Sequence, residues 1–436
     1  MIGHVKLGRM KQQNNDGVEP SRVRSILGGV AAKSLMVLLG WVALFMQPSI
    51  LAGEIPVGRL GDRSEPHSVR VATFNVSLYG ERSGEVLKRL RQGSDPQSIS
   101  LAAIIRDVRP DILLLNEIDF DADGEVATRF VQDYLNAPRD RWSEAELRKV
   151  LGDAPLADPI DYPHRYVAAS NTGEDSGRDL NADGKLGDPE DAFGFGRYPG
   201  QYSMAVLSKY PIDADAVRTF RQFPWARLPE ASIPLREDGQ PFYDEPTWRS
   251  LRLSSKNHLD VPVVIGTEIL HVLASHPTPP VFDGPEDRNG HRNHDEIAFW
   301  TAYLDGSPEL IDDSGARGGL IDDDPFVVVG DLNSDPERGD SRREAIAALI
   351  GHRRIQDPSP RHGGNDTTAP FGGGMRVDYV LPSKETGVID SGVFWPSDDD
   401  PRHRWIEASD HRMVWVDLRF ASDDSDAVTA TPEVRP

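Results

Sequence analysis

Short apolar runs, each ending in a polar residue able to do chemistry, constrain the fold of this chain more than any other feature. In chain order they are VRVATFN ending at Asn75, DILLLNE at Glu117, ILHVLASH at His276, and FVVVGDLN at Asp331 and Asn333. Two further pieces, RVDYV with Asp378 and SDH with Asp410 and His411, close the series. Short runs rich in Val, Ile and Leu predict strands buried on both faces. A carboxylate, amide or imidazole at the end of each gathers on one rim of a sheet, where ligand sites form. Such a rim, carrying Asp, Glu, Asn and His but no Cys, suits a hard metal ion and a phosphate group.

The 436 residues suffice for one large domain with insertions, or for two domains. Near the N-terminus, Arg22, Arg24 and Lys33 precede an apolar stretch from Leu35 to Met46, then Pro48 and small residues up to Ala52. This order predicts a signal peptide over residues 1–52. The alternative is a retained N-terminal anchor, for which the apolar run is short. Residues 53–68 read as a linker, 69–420 as the catalytic domain and 421–436 as a disordered acidic tail. Rim insertions are expected at about 119–200 and 224–257, the second anchored by Trp225 and Trp248. A helix is expected over Gln97–Val108, stopped by Pro110, and a short one over Asp295–Leu304 with Ile297, Trp300 and Leu304 on one face. The chain has no Cys, so an exported protein of this kind rests on a large core and bound metal instead of disulfides.

In this order the six motifs resemble the endonuclease/exonuclease/phosphatase superfamily. That superfamily includes DNase I-like nucleases, abasic-site endonucleases, inositol polyphosphate phosphatases and bacterial sphingomyelinases. The resemblance spans Val69 to Phe420, and GDLN followed by DY and then SDH is its most specific part. It implies an α/β fold, a DNase I-like four-layer α/β sandwich with two central mixed β-sheets and the active site at one edge. Glu117, a carboxylate at the end of a buried strand, is the leading metal-ligand candidate, and the resemblance implies Mg²⁺ or Mn²⁺ there with Asn75 beside it. It further implies that Asp331 orients or deprotonates the attacking water and that Asn333 binds the phosphate. His276 is expected to donate to the leaving group or the phosphoryl oxygens, and Asp410 to add a metal contact. A carboxylate accepting from one nitrogen of an imidazole fixes its tautomer, and Asp378 with His411 suggest such a pair. Ser77 stands where abasic-site nucleases carry a second acid. Arg288, His291, Arg292 and His294 either line a pocket for an anionic substrate or form an exposed polar loop.

Independently of the family, Asp179, Asn181, Asp183, Lys185 and Glu190, with Gly184 at the turn, repeat the spacing of an EF-hand loop and predict a structural Ca²⁺ site. An acidic turn without metal is the alternative. Asp119, Asp121 and Asp123 begin a similar pattern that Phe130 breaks at its twelfth position.

The formal charge of −22 disfavours loose attachment to nucleic acid, which relies on Lys and Arg displacing counterions. The expectation is therefore an exported, divalent-metal-dependent phosphoester hydrolase acting on a small molecule. A secreted DNase I-like nuclease is the runner-up and a lipid phosphodiesterase third. From another class, the chain could be a Ca²⁺-stabilised binding module without catalysis. No stable membrane partner after leader cleavage and no protein partner are expected.

Overall fold

The computed structural model describes residues 68–320 and 324–420. The expected leader, the linker up to residue 67 and the acidic tail lie outside them. The chain runs through β1 (Ser68–Leu78), α1 (Glu85–Arg91), α2 (Pro96–Val108), β2 (Ile112–Ile118), α3 (Glu125–Phe130), α4 (Glu144–Leu151), β3 (His164–Val167) and β4 (Ser203–Ser208). It continues through β5 (Arg218–Thr219), α5 (Glu245–Ser250), β6 (His258–Ile265), β7 (Glu268–Ser275) and α6 (Arg288–Leu304). It ends with β8 (Phe326–Asp331), α7 (Glu344–Ile350), β9 (Asp378–Pro382), β10 (Gly387–Val393) and β11 (Val414–Arg419).

The strands form two sheets, β10-β11-β1-β2-β4-β3 and β5-β6-β7-β8-β9. Both are mixed: β1–β2 and β7–β8 are parallel, and the other pairs are antiparallel. Side chains alternate across a strand, so a strand apolar at every position must be covered on both faces. In β1, Val69 and Val71 join a layer between the sheets while Ala72 and Phe74 pack under helices. In β8, Val327 and Val329 enter the same middle layer while Phe326 and Val328 face outward with Ile297 and Trp300 of α6. Helices, sheet, sheet and helices make the expected four-layer α/β sandwich.

Local signals account for α2. Asp95 accepts from the Ser98 amide at its N-terminus, Pro96 occupies the first turn, and Arg109 turns into the left-handed region just before Pro110. Two other segments depart from expectation. Residues 119–167 supply α3, α4 and edge strand β3, and Phe130, Tyr134, Trp142 and Leu147 pack into the core around α2. Helix α6 begins at Arg288, about two turns before the expected Asp295, because tertiary bonds hold its polar first turns. Arg292 donates to the carbonyls of Leu253 and Arg252 at 2.9 and 3.0 Å, and His291 sits between Ser232 and Arg342. Arg288, His291, Arg292 and His294 thus lie on a helix and not in an exposed loop, and His291 and Arg292 tie the 224–257 segment to it. Trp225 anchors that segment, with its Nε1 donating to Asp295 at 2.6 Å and its ring 4.9 Å from that of Trp248. Among the described residues no helix is long and apolar enough to cross a membrane.

His258 is buried beneath α6. Its Nε2 donates to the Glu296 carbonyl at 2.8 Å, which leaves Nδ1 to accept from the Ser254 hydroxyl at 2.5 Å. Burial lowers its pKa from 6.5 to about 4. Between those values the unfolded chain binds the proton and the fold does not, so stability falls as pH drops through this window. The contribution is about 3 kcal/mol in full. Urea midpoints measured at pH 7 and pH 5 should show this acid loss in the native chain, and His258→Asn should flatten the difference.

Candidate active site

The rim where both sheets end carries the predicted residues. Parallel strands β1, β2, β7 and β8 bring their C-terminal ends there, with Asn75, Glu117, His276 and Asp331 at or just past them. Strands β9 and β11 run the other way, so their N-terminal sides reach the same rim. Asp378 pairs directly opposite Asp331. His411 lies three residues before β11, whose first residue pairs with Thr73.

Side-chain bonds then join the two sheets. Asn75 Nδ2 donates to Asp331 Oδ2 at 3.1 Å, and Asn75 Oδ1 accepts from the Ser77 amide at 3.1 Å. His411 Nδ1 is 2.9 Å from Asp378 Oδ2, and its Nε2 is 3.5 Å from Asp331 Oδ2. His276 Nε2 lies 3.5 Å from Asp331 and 4.0 Å from Glu117, yet neither ring nitrogen has a hydrogen-bond partner. Buried polar atoms are nearly always bonded, so this imidazole is left available for a ligand. Asp410 is exposed, and its Oδ1 accepts from Ser77 Oγ at 2.9 Å, so the serine in place of a second acid holds another carboxylate at the rim. Asn333 takes a left-handed backbone (φ 52°), its amide hydrogen meets Asp331 Oδ1, and its Nδ2 donates to Pro277 O at 3.1 Å. Gly330 is required by a strand neighbour: a Cβ there would sit 2.0 Å from the Ser275 carbonyl of β7.

Burial sets the electrostatics. It raises the pKa of Glu117 and of Asp331. His411 would be pushed down by burial, but Asp378 and Asp331 outweigh this and hold it up as an imidazolium. His276 is pushed well below its ordinary value by burial, with Lys256 and His411 adding to it, and stays neutral. Asp331, Asp378 and His411 have ligand atoms within 4.8 Å of one another. The Nδ1 of His411 is committed to Asp378, however, so these three read better as a proton-sharing set than as metal ligands. Glu117 differs: 22% of its side-chain surface is open at the rim, and the neutral His276 lies 4.0 Å from it. Glu117, Asp331, Asp378 and Asp410 together outnumber the positive groups facing them, His411, Lys256 and Arg412. Hard oxygens with surplus negative charge fit Mg²⁺ or Mn²⁺ at Glu117, with Asn75 and Asp410 nearby.

Several residues escaped the sequence reading. Lys256 is buried against Pro277 O, its amine pushed down by burial and held up in part by Glu296, Glu117 and Asp331. Glu296 accepts from the Ser255 and Thr278 amides at 2.5 and 2.6 Å, joining the segments that carry Lys256 and His276. Its signal was a carboxylate on the apolar stripe of α6, at helical spacing from Trp300. Thr368 Oγ1 donates to Asp378 Oδ2 at 2.7 Å, and Ser409 Oγ donates to Asn75 O and accepts from the His411 amide. Ser409 is the first residue of the SDH motif, whereas Thr368 does not stand out in the chain.

The acidic loop folds on itself. Asp179 accepts from the amides of Asp183 and Gly184, Asn181 from that of Asp183, and Asp183 from Lys185. Glu190 is exposed. The loop is closed instead by buried Asp191, which accepts from Leu180 and Gly187, both at 2.8 Å. Asp121 caps α3 through the amides of Glu125 and Val126, while Asp119 accepts from Tyr198. The second acidic pattern is therefore a helix cap and a tyrosine pair.

A family profile described as the Endonuclease/Exonuclease/phosphatase family matches residues 72–411. No curated protein sequence matches the chain. Among solved structures it is similar to an endonuclease/exonuclease/phosphatase from Beutenbergia cavernae (20% identity, 81% of this chain and 72% of that one, TM-score 0.40). It is also similar to sphingomyelinase C from Streptomyces griseocarneus (16% identity, 80% and 99% covered, TM-score 0.40). The catalytic domain of human Nocturnin is a third (12% identity, 81% and 95% covered, TM-score 0.41). The profile match takes in Asn75, Glu117, His276, Asp331, Asn333, Asp378 and His411 alike, and the chain belongs to the endonuclease/exonuclease/phosphatase family.

Proposed function

We propose that the chain is a divalent-metal-dependent phosphoester hydrolase acting on a small molecule. The observation that carries this reading is the pairing of an unbonded, neutral His276 with a cationic His411 on either side of Asp331. In the proposed reaction a water attacks phosphorus, one P–O ester bond breaks, and the alcohol leaves. Asp331, its pKa raised by burial, takes the proton of the attacking water, as a general base tuned toward neutrality can. The Nε2–H of His411 faces a phosphoryl oxygen, with Asp378 and Thr368 fixing the ring, and a His276 N–H donates to another oxygen or to the leaving group. Asn333 borders the phosphate from the GDLN turn, and Lys256 adds an amine at the back of the pocket. When bound at Glu117, with Asn75 and Asp410 alongside, Mg²⁺ or Mn²⁺ supplies positive charge against the phosphoryl oxygens. The acidic balance of the chain favours a small phosphoester over nucleic acid.

Full-chain protein assayed with bis-p-nitrophenyl phosphate, p-nitrophenyl phosphate and supercoiled plasmid should show metal-dependent cleavage, strongest on a small ester. Asp331→Ala and His411→Ala should each lower kcat about a hundred- to ten-thousandfold. Absence of metal-dependent cleavage on all three would sink the hydrolase. We further infer a structural Ca²⁺ at Asp179, Asn181, Asp183, Lys185 and Glu190 from their spacing. EGTA should then lower Tm, since Ca²⁺ at a hundred times its Kd stabilises by about 2.7 kcal/mol. Asp183→Ala should abolish most of that shift, and an unchanged melting curve refutes the site. Export is inferred from the basic and apolar leader, and the intact mass of chain recovered outside the cytoplasm should begin near Gly53.

A further inference from the structure

The strand register sets two tyrosines beside Glu117. Leu78 of β1 pairs with Ile118 of β2, which pairs in turn with Ser203 of β4. Tyr79 follows Leu78 and Tyr202 precedes Ser203, so they flank the end of β2 on its two neighbouring strands. Their rings meet edge to face, with centroids 4.5 Å apart. Phe195 extends this surface, stacked on Tyr202 at 6.3 Å and 27°. An aromatic serving only the core would be covered, but Phe195 is 50% exposed.

Backbone strain points to the same place. Tyr202 has φ 57°, a left-handed conformation that is an outlier for a bulky residue and persists only where its surroundings impose it. Ser77, Glu117 and Asn333 share that conformation, and all three lie at this rim. The loop that carries Phe195 is fixed, since Gly194 packs so closely on the Ser255 carbonyl that a Cβ would sit 1.9 Å from it. The Glu117 charge acts on both phenols, as does that of Arg197, whose guanidinium is half exposed and pairs with Glu81. The surface is therefore aromatic, with the exposed Phe195 ring stacked on Tyr202, next to the candidate phosphate seat and edged by Arg197.

We propose that Tyr79, Phe195 and Tyr202 form a stacking subsite for a planar ring carried by the substrate, with Arg197 at its edge. This rests on the phosphoesterase reading and names its substrate class: a small phosphoester bearing a heteroaromatic ring, of nucleotide type. Aromatic faces accept any flat ring without reading its hydrogen-bonding edge, so the subsite selects for the presence of a base and not for its identity.

Thymidine 5′-phosphate and 1,2-dideoxyribose 5-phosphate, which has hydrogen in place of the base, serve as probes. Each is measured as an inhibitor of bis-p-nitrophenyl phosphate turnover and, separately, by calorimetric titration with Mg²⁺ present. The ring should tighten binding about five- to tenfold. Phe195→Ala should bring the ratio of the two constants close to one, and Phe195→Tyr should restore it, with Tm confirming that each variant folds. Equal constants for the two probes on native protein that turns over the ester overturn the subsite and leave the hydrolase standing. A calorimetric preference for the ring without any turnover keeps the subsite and removes the hydrolase. Binding of neither probe overturns the subsite.

Discussion

The apolar layer between the two sheets fixes the position of everything at the rim. Val69, Val71, Leu114 and Val206 from one sheet and Val261, Val272, Val327 and Val329 from the other leave no solvent-facing side on these strands. With both faces buried, neither sheet can slip by one residue without turning its outward set inward. The strand ends are therefore held in register across two sheets that share no backbone ladder. The Asn75–Asp331 bond spans that gap, and the charged groups gathered around it depend on sheets packed closely enough to bring them together.

Burial is then the dominant influence on the site's chemistry. It raises Glu117 and Asp331 and lowers His276, and only where two carboxylates surround His411 does direct charge interaction win. Two chemically identical rings end up in opposite protonation states a few ångströms apart, one able to share a proton and one already carrying it. The supporting layer is polar and specific: Thr368 orients Asp378, Ser409 anchors the loop of His411, and Glu296 ties the segments of Lys256 and His276 together.

What the sequence revealed and what it hid follow from the same physics. Asn75, Glu117, His276 and Asp331 are legible because a polar residue closing an unbroken apolar run is a local signal, and Asp378 because it opens such a run. Runs too continuous for a half-exposed sheet predict strands covered on both faces, and the resemblance implied the four layers. Lys256 and Thr368 act through residues that only the fold brings to them, and nothing in their neighbourhoods marks them. Helix α6 was read short because its first turns are polar and its stability there comes from Arg292 and His291 reaching other segments. Residues 119–167 looked like an insertion because their acids and prolines masked the apolar residues, Phe130 to Leu147, that complete the first core. In the acidic loop the spacing marks Glu190, while the part of its neighbour Asp191, which accepts from Leu180 and Gly187, has no signal in the spacing.

The pairing of β11 with β1 joins residues 414–419 to residues 68–73, nearly the two ends of the described chain. Strand β11 also separates β10 from β1, so without it the first sheet is divided. Such a distant contact is expensive in loop entropy and forms late during folding. His411 enters the rim on the segment leading into that strand. A nascent chain can thus assemble most of its core on the ribosome while the histidine beside Asp378 is still missing. Pairing of β11 with β1 is what closes the charged cluster, so the segment made last among the described residues is the one that completes it.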